Sequence, residues 1–250
     1  MNIRKTRIQF SPPQTLAIGL IGIILAGTLL LSLPVASSAD PLPLIDALFT
    51  STSAVSVTGL VVTDTGHQFS LFGEIVLAGL IQVGGLGFMT MATWIALMFR
   101  KRISYRERLV LKDTLNEMSL EGIIRLIRKA LLFSLFIEGA GAVLLALRWS
   151  AEMPFAQAVY MGVWHAISFF NNAGFDLLGP YGGMTMYTED LIVNLTAMGL
   201  ILLGGIGFIV MVDLAEYRRR KHLSLHSKVV LSMTALLTLS GAVVLFIFEF

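Results

Sequence analysis

Thr50-Ser51-Thr52-Ser53-Ala54-Val55-Ser56-Val57-Thr58-Gly59-Leu60-Val61-Val62-Thr63-Asp64-Thr65-Gly66 is rich in hydroxyls, carries no positive charge and lies between two long apolar segments. A polar stretch in that position reads either as an external loop or as a re-entrant loop lining a water-filled path, because irregular backbone is tolerated at membrane depth only where protein or water can satisfy it. Gly59 suits the second reading, since glycine takes backbone angles closed to residues with a Cβ.

Working outward, the chain reads as an all-α membrane protein. Of its 250 residues, 56% are hydrophobic and only 14% charged, against roughly 25% charged in soluble domains, and the mean hydropathy is +0.81. There is no cysteine, which excludes disulfides, thiolate metal sites and cysteine nucleophiles. Leu16–Leu33 approaches the roughly 20 apolar residues a spanning helix needs, and Pro34 closes it. Asp40-Pro41-Leu42-Pro43 predicts a helix start with Asp40 as cap, and Leu44, Ala47, Leu48 and Ser51 at helical spacing predict a short helix over Pro43–Ala54, too short to span. Further spans are predicted over Phe72–Phe99, Ala130–Leu147, Leu191–Val212 and Val229–Phe250, with a second short helix over Pro154–Phe170. Ile123, Ile124, Leu126 and Ile127 predict an amphipathic helix at the membrane surface.

Charge sets the orientation. Of the 18 Lys and Arg, only Arg148 falls outside the N-terminus, the Arg100–Lys129 segment and the Arg218–Lys228 segment. The positive-inside rule therefore places those three in the cytoplasm, both glycine-bearing polar segments outside, and the C-terminal end outside.

An internal repeat accompanies this topology. Gln82-Val83-Gly84-Gly85-Leu86-Gly87-Phe88-Met89 recurs as Leu202-Leu203-Gly204-Gly205-Ile206-Gly207-Phe208-Ile209, each copy in the span that follows a glycine-bearing external segment. Glycines are common in membrane helices, but matching copies at the same point of two like-ordered units favour duplication. The expected organisation is a cytoplasmic N-terminus (1–15), a first span–short helix–glycine loop–span unit (16–99), a basic cytoplasmic loop with the amphipathic helix (100–129), a second unit (130–212), a cytoplasmic loop (213–228) and the first span of a third unit (229–250).

The unit order, with Thr52-Ser53-Ala54-Val55-Ser56-Val57-Thr58-Gly59-Leu60, Asp64-Thr65 and Phe169-Phe170-Asn171-Asn172-Ala173-Gly174-Phe175, resembles the Trk/Ktr/HKT superfamily of potassium transporters, and within it the membrane subunits of Ktr systems. The resemblance implies a pseudo-fourfold pore of four such units and potassium as substrate, selected by the backbone carbonyls of the filter loops. On this chain those would be Ser56, Val57, Thr58 and Gly59, then Asn171, Asn172, Ala173 and Gly174. It also implies sodium as a coupling ion, a homodimer, a KtrA-like cytoplasmic nucleotide-binding regulatory ring, lipid contact and a multi-pass location in the plasma (bacterial inner) membrane, with no covalent cofactor, no nucleic acid and no enzymatic activity. Two units and one further helix are half of what the family needs. The chain is then expected to be the N-terminal part of a longer protein, or a half-transporter that pairs with a second chain.

Other residues keep two readings. The Ser56 and Thr58 hydroxyls fit the ion path or a helix cap. Asp64 fits an outer vestibule that focuses cations or a solvated loop. Asp46 lies on the first short helix and could pair with a neighbouring unit. Glu138, deep in a span where an ionisable group is costly, fits an ion or coupling site or a structural hydrogen bond. His165 fits a packed histidine better than a ligand, and His67, His222 and His226 show no metal-ligand spacing with it. The Arg100–Lys129 segment fits a topology determinant, an anionic-lipid contact or a docking site for a cytosolic subunit. A two-pore-unit potassium channel matches the count of complete units. A membrane enzyme built on Asp46, Asp64, Glu138 and His165 lacks any nucleophile–base spacing or HExxH-type motif.

Overall fold

The computed structural model describes residues 12–87, 123–179 and 183–249. Among them all regular structure is helical, save one isolated antiparallel bridge between Ser37 and Phe69. They form two compact units, the first through Ile127 together with Gly179, and the second over Arg128–Leu178 and from Gly183 onward, with the helix that begins at Ile123 running into it.

In the first unit, α1 (Pro12–Leu31) holds an apolar window, Gln14–Leu31, long enough to cross a membrane. A 3-10 turn at Pro34–Ala36 follows, because a proline at the first position cannot continue α1 but presets the next turn. The link to α2 (Leu44–Val55) is clasped to the segment beyond it: Ser38 N donates to Gln68 O (2.9 Å), Ser70 N to Ala36 O (3.0 Å) and Gln68 Nε2 to Asp40 O (2.8 Å). Asp40 thus contributes a carbonyl to this clasp, and the N-cap of α2 is Pro43, which gives no side-chain bond. A short α3 (Thr65–Gln68) and α4 (Leu71–Leu86) complete the unit. At 16 residues, α4 is about 24 Å long. It ends at Gly87, whose φ of +81° and ψ of +129° suit glycine alone; the rest of the span expected to reach Phe99 lies outside the described residues.

In the second unit, α5 (Ile123–Trp149) is one unbroken 27-residue helix. The stretch expected as a separate surface helix at Ile123–Ile127 is therefore its first turns; the loop expected before it lies outside the described residues. Then come α6 (Phe155–Phe170), a 3-10 turn (Gly183–Tyr187), α7 (Leu191–Gly205), α8 (Phe208–Arg220) and α9 (Leu225–Glu249). The span expected over Leu191–Val212 is broken, with α7 and α8 meeting at 100°. The cause is Gly207, at φ +83° and ψ +154°: Ile206 N closes the last bond of α7 to Leu202 O, and Gly207 O accepts the first of α8 from Met211 N. Lys129 on α5 pairs with Glu216 on α8, and Asp213 on α8 accepts from Ser224 N at 2.8 Å. The apolar window of α9 is not buried against any of the described residues, as expected for a surface facing lipid or further protein.

The repeated glycine motif does the same work in both units. A Cβ on Gly84 would lie 2.2 Å from Val55 O at the end of α2, and one on Gly204 would lie 1.7 Å from Phe170 O at the end of α6. The first glycine of each motif therefore lets the following apolar helix press its backbone onto the last carbonyl of a short helix, and the last glycine, Gly87 or Gly207, ends that helix with a positive φ. The end of the second unit where α5 meets α7 is held by polar contacts. Arg148 pairs with Glu152 (2.7 Å) and with Asp190. Asp190 also caps α7 by accepting from Ile192 N and Val193 N, both at 3.0 Å, and Tyr187 Oη donates to Glu152 at 2.9 Å. The Val193 N–H first, and Arg148 after it, hold the Asp190 carboxyl below its ordinary value. Burial, helped by Glu152, pushes the Tyr187 phenol up to about 12.

Two outcomes follow for the full-length protein. Gly204→Ala lowers thermal stability in detergent by about 1–3 kcal/mol, while Gly199→Ala in the same helix, whose Cβ meets nothing within 4 Å, leaves it unchanged; equal effects would contradict the close-contact role. Asp190 has a depressed folded value, so its stabilisation is complete above about pH 4 and is lost as pH falls through that depressed value. Thermal melts should show an acid-labile component below pH 4 that Asp190→Asn removes, and an identical acid profile in that variant would exclude the cap and ion pair as its source.

Candidate functional site

Both short helices end the same way. The C-cap residue of α2, Ser56, has φ −84° and ψ −1°, and that of α6, Asn171, has φ −80° and ψ 0°. The next residues, Val57 and Asn172, are left-handed at φ +55° and +58°, and the glycines two further on, Gly59 and Gly174, have φ +77° and +75°. Val57 N donates to Ala54 O (3.3 Å) and Thr58 N to Ser53 O (2.9 Å); Asn172 N donates to Phe169 O (3.0 Å) and Ala173 N to Ser168 O (2.8 Å). This is the Schellman pattern, in which a left-handed residue after the cap turns the chain back and satisfies the last free carbonyls of the helix. Asparagine tolerates such a φ; a β-branched valine rarely adopts it, at a cost of about 1–2 kcal/mol. Strain of that kind concentrates where function demands a particular backbone path.

The structure brings the sequence-predicted residues into these two turns. Ser56, Val57, Thr58 and Gly59 form the first, and Asn171, Asn172, Ala173 and Gly174 the second. No donor among the described residues reaches the carbonyl oxygens of Ser56, Val57, Thr58 and Gly59, or those of Asn172, Ala173 and Gly174. Each turn also stands at the C-terminal end of a helix, where aligned peptide dipoles place roughly half a negative charge. Bare carbonyls at the negative end of a helix are groups that can replace the water around a cation.

The surroundings of the two turns differ. In the first, Ser56 Oγ donates to Thr52 O (2.6 Å), which uses its hydrogen, so the Thr58 hydroxyl donates to Ser56 Oγ (2.6 Å). Both hydroxyls thus lock the cap. Ser53 Oγ below is buried without a hydrogen-bond partner among the described residues, and Leu60 after the glycine is 59% exposed. In the second, Ser168 Oγ donates to Phe175 O (2.5 Å) and Phe175 is buried. His165 is fully buried: its Nε2 accepts from Leu177 N (3.2 Å), so Nδ1–H donates to Met161 O (2.8 Å). It is a neutral clasp for the chain beyond the turn, edge-on to Trp149 and Trp164. A cavity of about 300 Å³ beside this turn is lined by Ser168, Asn172, Gly174 and Asp176 among others.

The remaining candidates sit outside the turns. Asp64 caps α3 by accepting from His67 N (2.9 Å). Asp46 lies in the first turn of α2, where its charge suits the positive helix end. Glu138 is buried in α5 and accepts from Asn171 Nδ2 (3.4 Å). Sequence reasoning missed His165 as the clasp and the pairing of Glu138 with the second turn; both join residues on different elements or far along the chain, which spacing alone does not reveal. Among the described residues no group of three or more His, Asp or Glu could hold a metal ion.

Comparison with known proteins gives this geometry its family. Residues 14–250 match the TrkH family, described as cation transport protein. The chain is 43% identical over 243 residues to Ktr system potassium uptake protein B of Bacillus subtilis, covering 97% of this chain and 54% of that protein. It is 40% identical to potassium/sodium uptake protein NtpJ of Enterococcus hirae, covering 100% and 55% respectively. It is 38% identical to Ktr system potassium uptake protein B of Vibrio alginolyticus, covering 98% and 54%. The chain spans about half the length of these relatives. Glycine-ended half-helices, bare carbonyls and spanning helices all fit the matched family: the chain belongs to the TrkH family of cation transport proteins.

Proposed function

We propose that this chain supplies two of the filter-bearing units of a potassium uptake transporter in the plasma membrane. The observation that carries the reading is the doubled turn: two short helices, each ending in the same Schellman geometry, each followed by a positive-φ glycine and carbonyls with no donor among the described residues. In this reading Ser56–Gly59 and Asn171–Gly174 present backbone oxygens that replace the hydration shell of potassium, with two further units completing a pseudo-fourfold ring. Conduction needs only binding and release, so the protein's part is to hold those oxygens at a fixed spacing and to exclude water from the side.

The names of the relatives support potassium as cargo, and the potassium/sodium uptake protein supports sodium as a coupling ion. The clustering of Lys and Arg supports a cytoplasmic N-terminus with the two turns on the outer side. Asp64, held at the start of α3, contributes negative potential on that outer side. A homodimer regulated by a cytoplasmic nucleotide-binding ring completes the assembly, with the Arg100–Lys129 segment as one place for such a ring to dock.

Filter geometry should be sensitive to each glycine. In the full-length protein expressed in cells lacking their own potassium uptake, Gly59→Ser or Gly174→Ser reduces potassium-over-sodium preference by roughly tenfold or more, since a left-handed L-residue costs about 1–2 kcal/mol and shifts the neighbouring carbonyls. Competitive rubidium uptake at varied sodium is the measurement. Unchanged uptake and unchanged preference in both variants would remove the filter assignment.

A further inference from the structure

We propose that Glu138 is the positioning residue of the second turn, where it replaces a lock that the first turn makes from its own strand. The inference rests on the filter reading above. In each turn the C-cap side chain donates back to the carbonyl four residues earlier: Ser56 Oγ to Thr52 O at 2.6 Å, Asn171 Nδ2 to Ile167 O at 2.9 Å. A second contact then fixes that side chain. For Ser56 it is the Thr58 hydroxyl at 2.6 Å. The residue at the matching place in the second turn is Ala173, which has no hydroxyl to offer. There the second amide hydrogen of Asn171 goes instead to Glu138 Oε1 at 3.4 Å, from α5.

The same register explains why a carboxyl is present at all. A Cβ on Gly27 of α1 would meet Leu80, four residues before Gly84, as one on Gly141 of α5 would meet Leu200, four residues before Gly204, so Glu138, three residues before Gly141, corresponds to Ile24 in α1. The unit that has Thr58 has an apolar side chain at that depth, and the unit that lacks the hydroxyl has a carboxyl. Glu138 is 6% exposed and Asn171 7%, so each needs a partner in the low-dielectric interior. A buried acceptor on a rigid helix holds the cap side chain at a fixed height, and with it the Asn171–Asn172 backbone that begins the second row of carbonyls.

The test is a cycle in the full-length protein. Glu138→Ala is made in the natural sequence and in a background carrying Asn171→Ser with Ala173→Ser, which gives the second turn a hydroxyl pair like that of the first. Glu138→Gln, whose amide oxygen accepts the same bond, is measured beside them. Potassium-over-sodium preference and the KM for potassium are read from rubidium uptake, with folding followed by size-exclusion profile. Expected results are a roughly tenfold loss of preference in Glu138→Ala, the scale of one buried hydrogen bond, near-natural behaviour in Glu138→Gln, and no more than a twofold further loss when Glu138→Ala enters the serine background. If Glu138→Ala prevents folding in the natural sequence and not in the serine background, the lock is likewise supported. Equal damage in both backgrounds, no damage in either, or a Glu138→Gln variant as defective as Glu138→Ala would overturn it. Failure of the filter reading looks different: the unmodified protein would then show no potassium preference for any variant to lose.

Discussion

A backbone carbonyl without a donor costs several kcal/mol in hydrocarbon, and this chain carries two runs of them among apolar helices. The rest of the described structure follows from keeping them there. Each run is held at the end of a short helix by a left-handed turn, Val57 in one and Asn172 in the other. Each short helix is pinned by a glycine of the adjoining span, Gly84 against Val55 O and Gly204 against Phe170 O. The carbonyls of Ser56–Gly59 and Asn172–Gly174 find no donor among the described residues, and in the proposed reading a cation serves them. Under the proposed filter reading, oxygens that take the place of an ion's water select by its size and charge.

The two units reach this end with different means. The first ties its cap with hydroxyls of its own segment, Ser56 and Thr58, and fastens α2 to α1 through Ser51 Oγ to Ile24 O at 2.8 Å. The second uses distant groups: Glu138 for the cap, His165 and Ser168 for the chain beyond the glycine. Its α5–α7 end is further secured by Arg148 between Glu152 and Asp190. The two units thus share a backbone path while the side chains that hold it differ, which is what the proposed function requires if the carbonyls meet the ion and the side chains only position them.

Much of this was legible in the sequence, for physical reasons that differ by residue. Apolar length placed α1, α5 and α9, and the prolines at 43 and 154 marked where α2 and α6 begin. The left-handed glycine was legible at Gly59, because a residue without a Cβ in a polar segment between two apolar ones marks an irregular backbone. The left-handed Val57 was not, because nothing in a valine announces a conformation that valine avoids. The break at Gly207 was hidden because apolar composition continues through it from α7 into α8, so hydropathy alone predicts one span. The cap of α2 was misread at Asp40 because Asp is the better capping residue; the clasp with Gln68 engages its carbonyl instead. Glu138 was visible as an anomaly, but its partner Asn171 lies on another helix, and only coordinates bring them together.

The central claim is that the carbonyls of Ser56–Gly59 and Asn171–Gly174 coordinate the transported ion. The most direct test is anomalous diffraction from crystals of the full-length protein grown in rubidium, compared with crystals grown in sodium. The account predicts rubidium peaks within coordination distance of both turns and weaker or differently placed density in sodium. Rubidium absent from both turns, in protein that still takes up potassium, would contradict it.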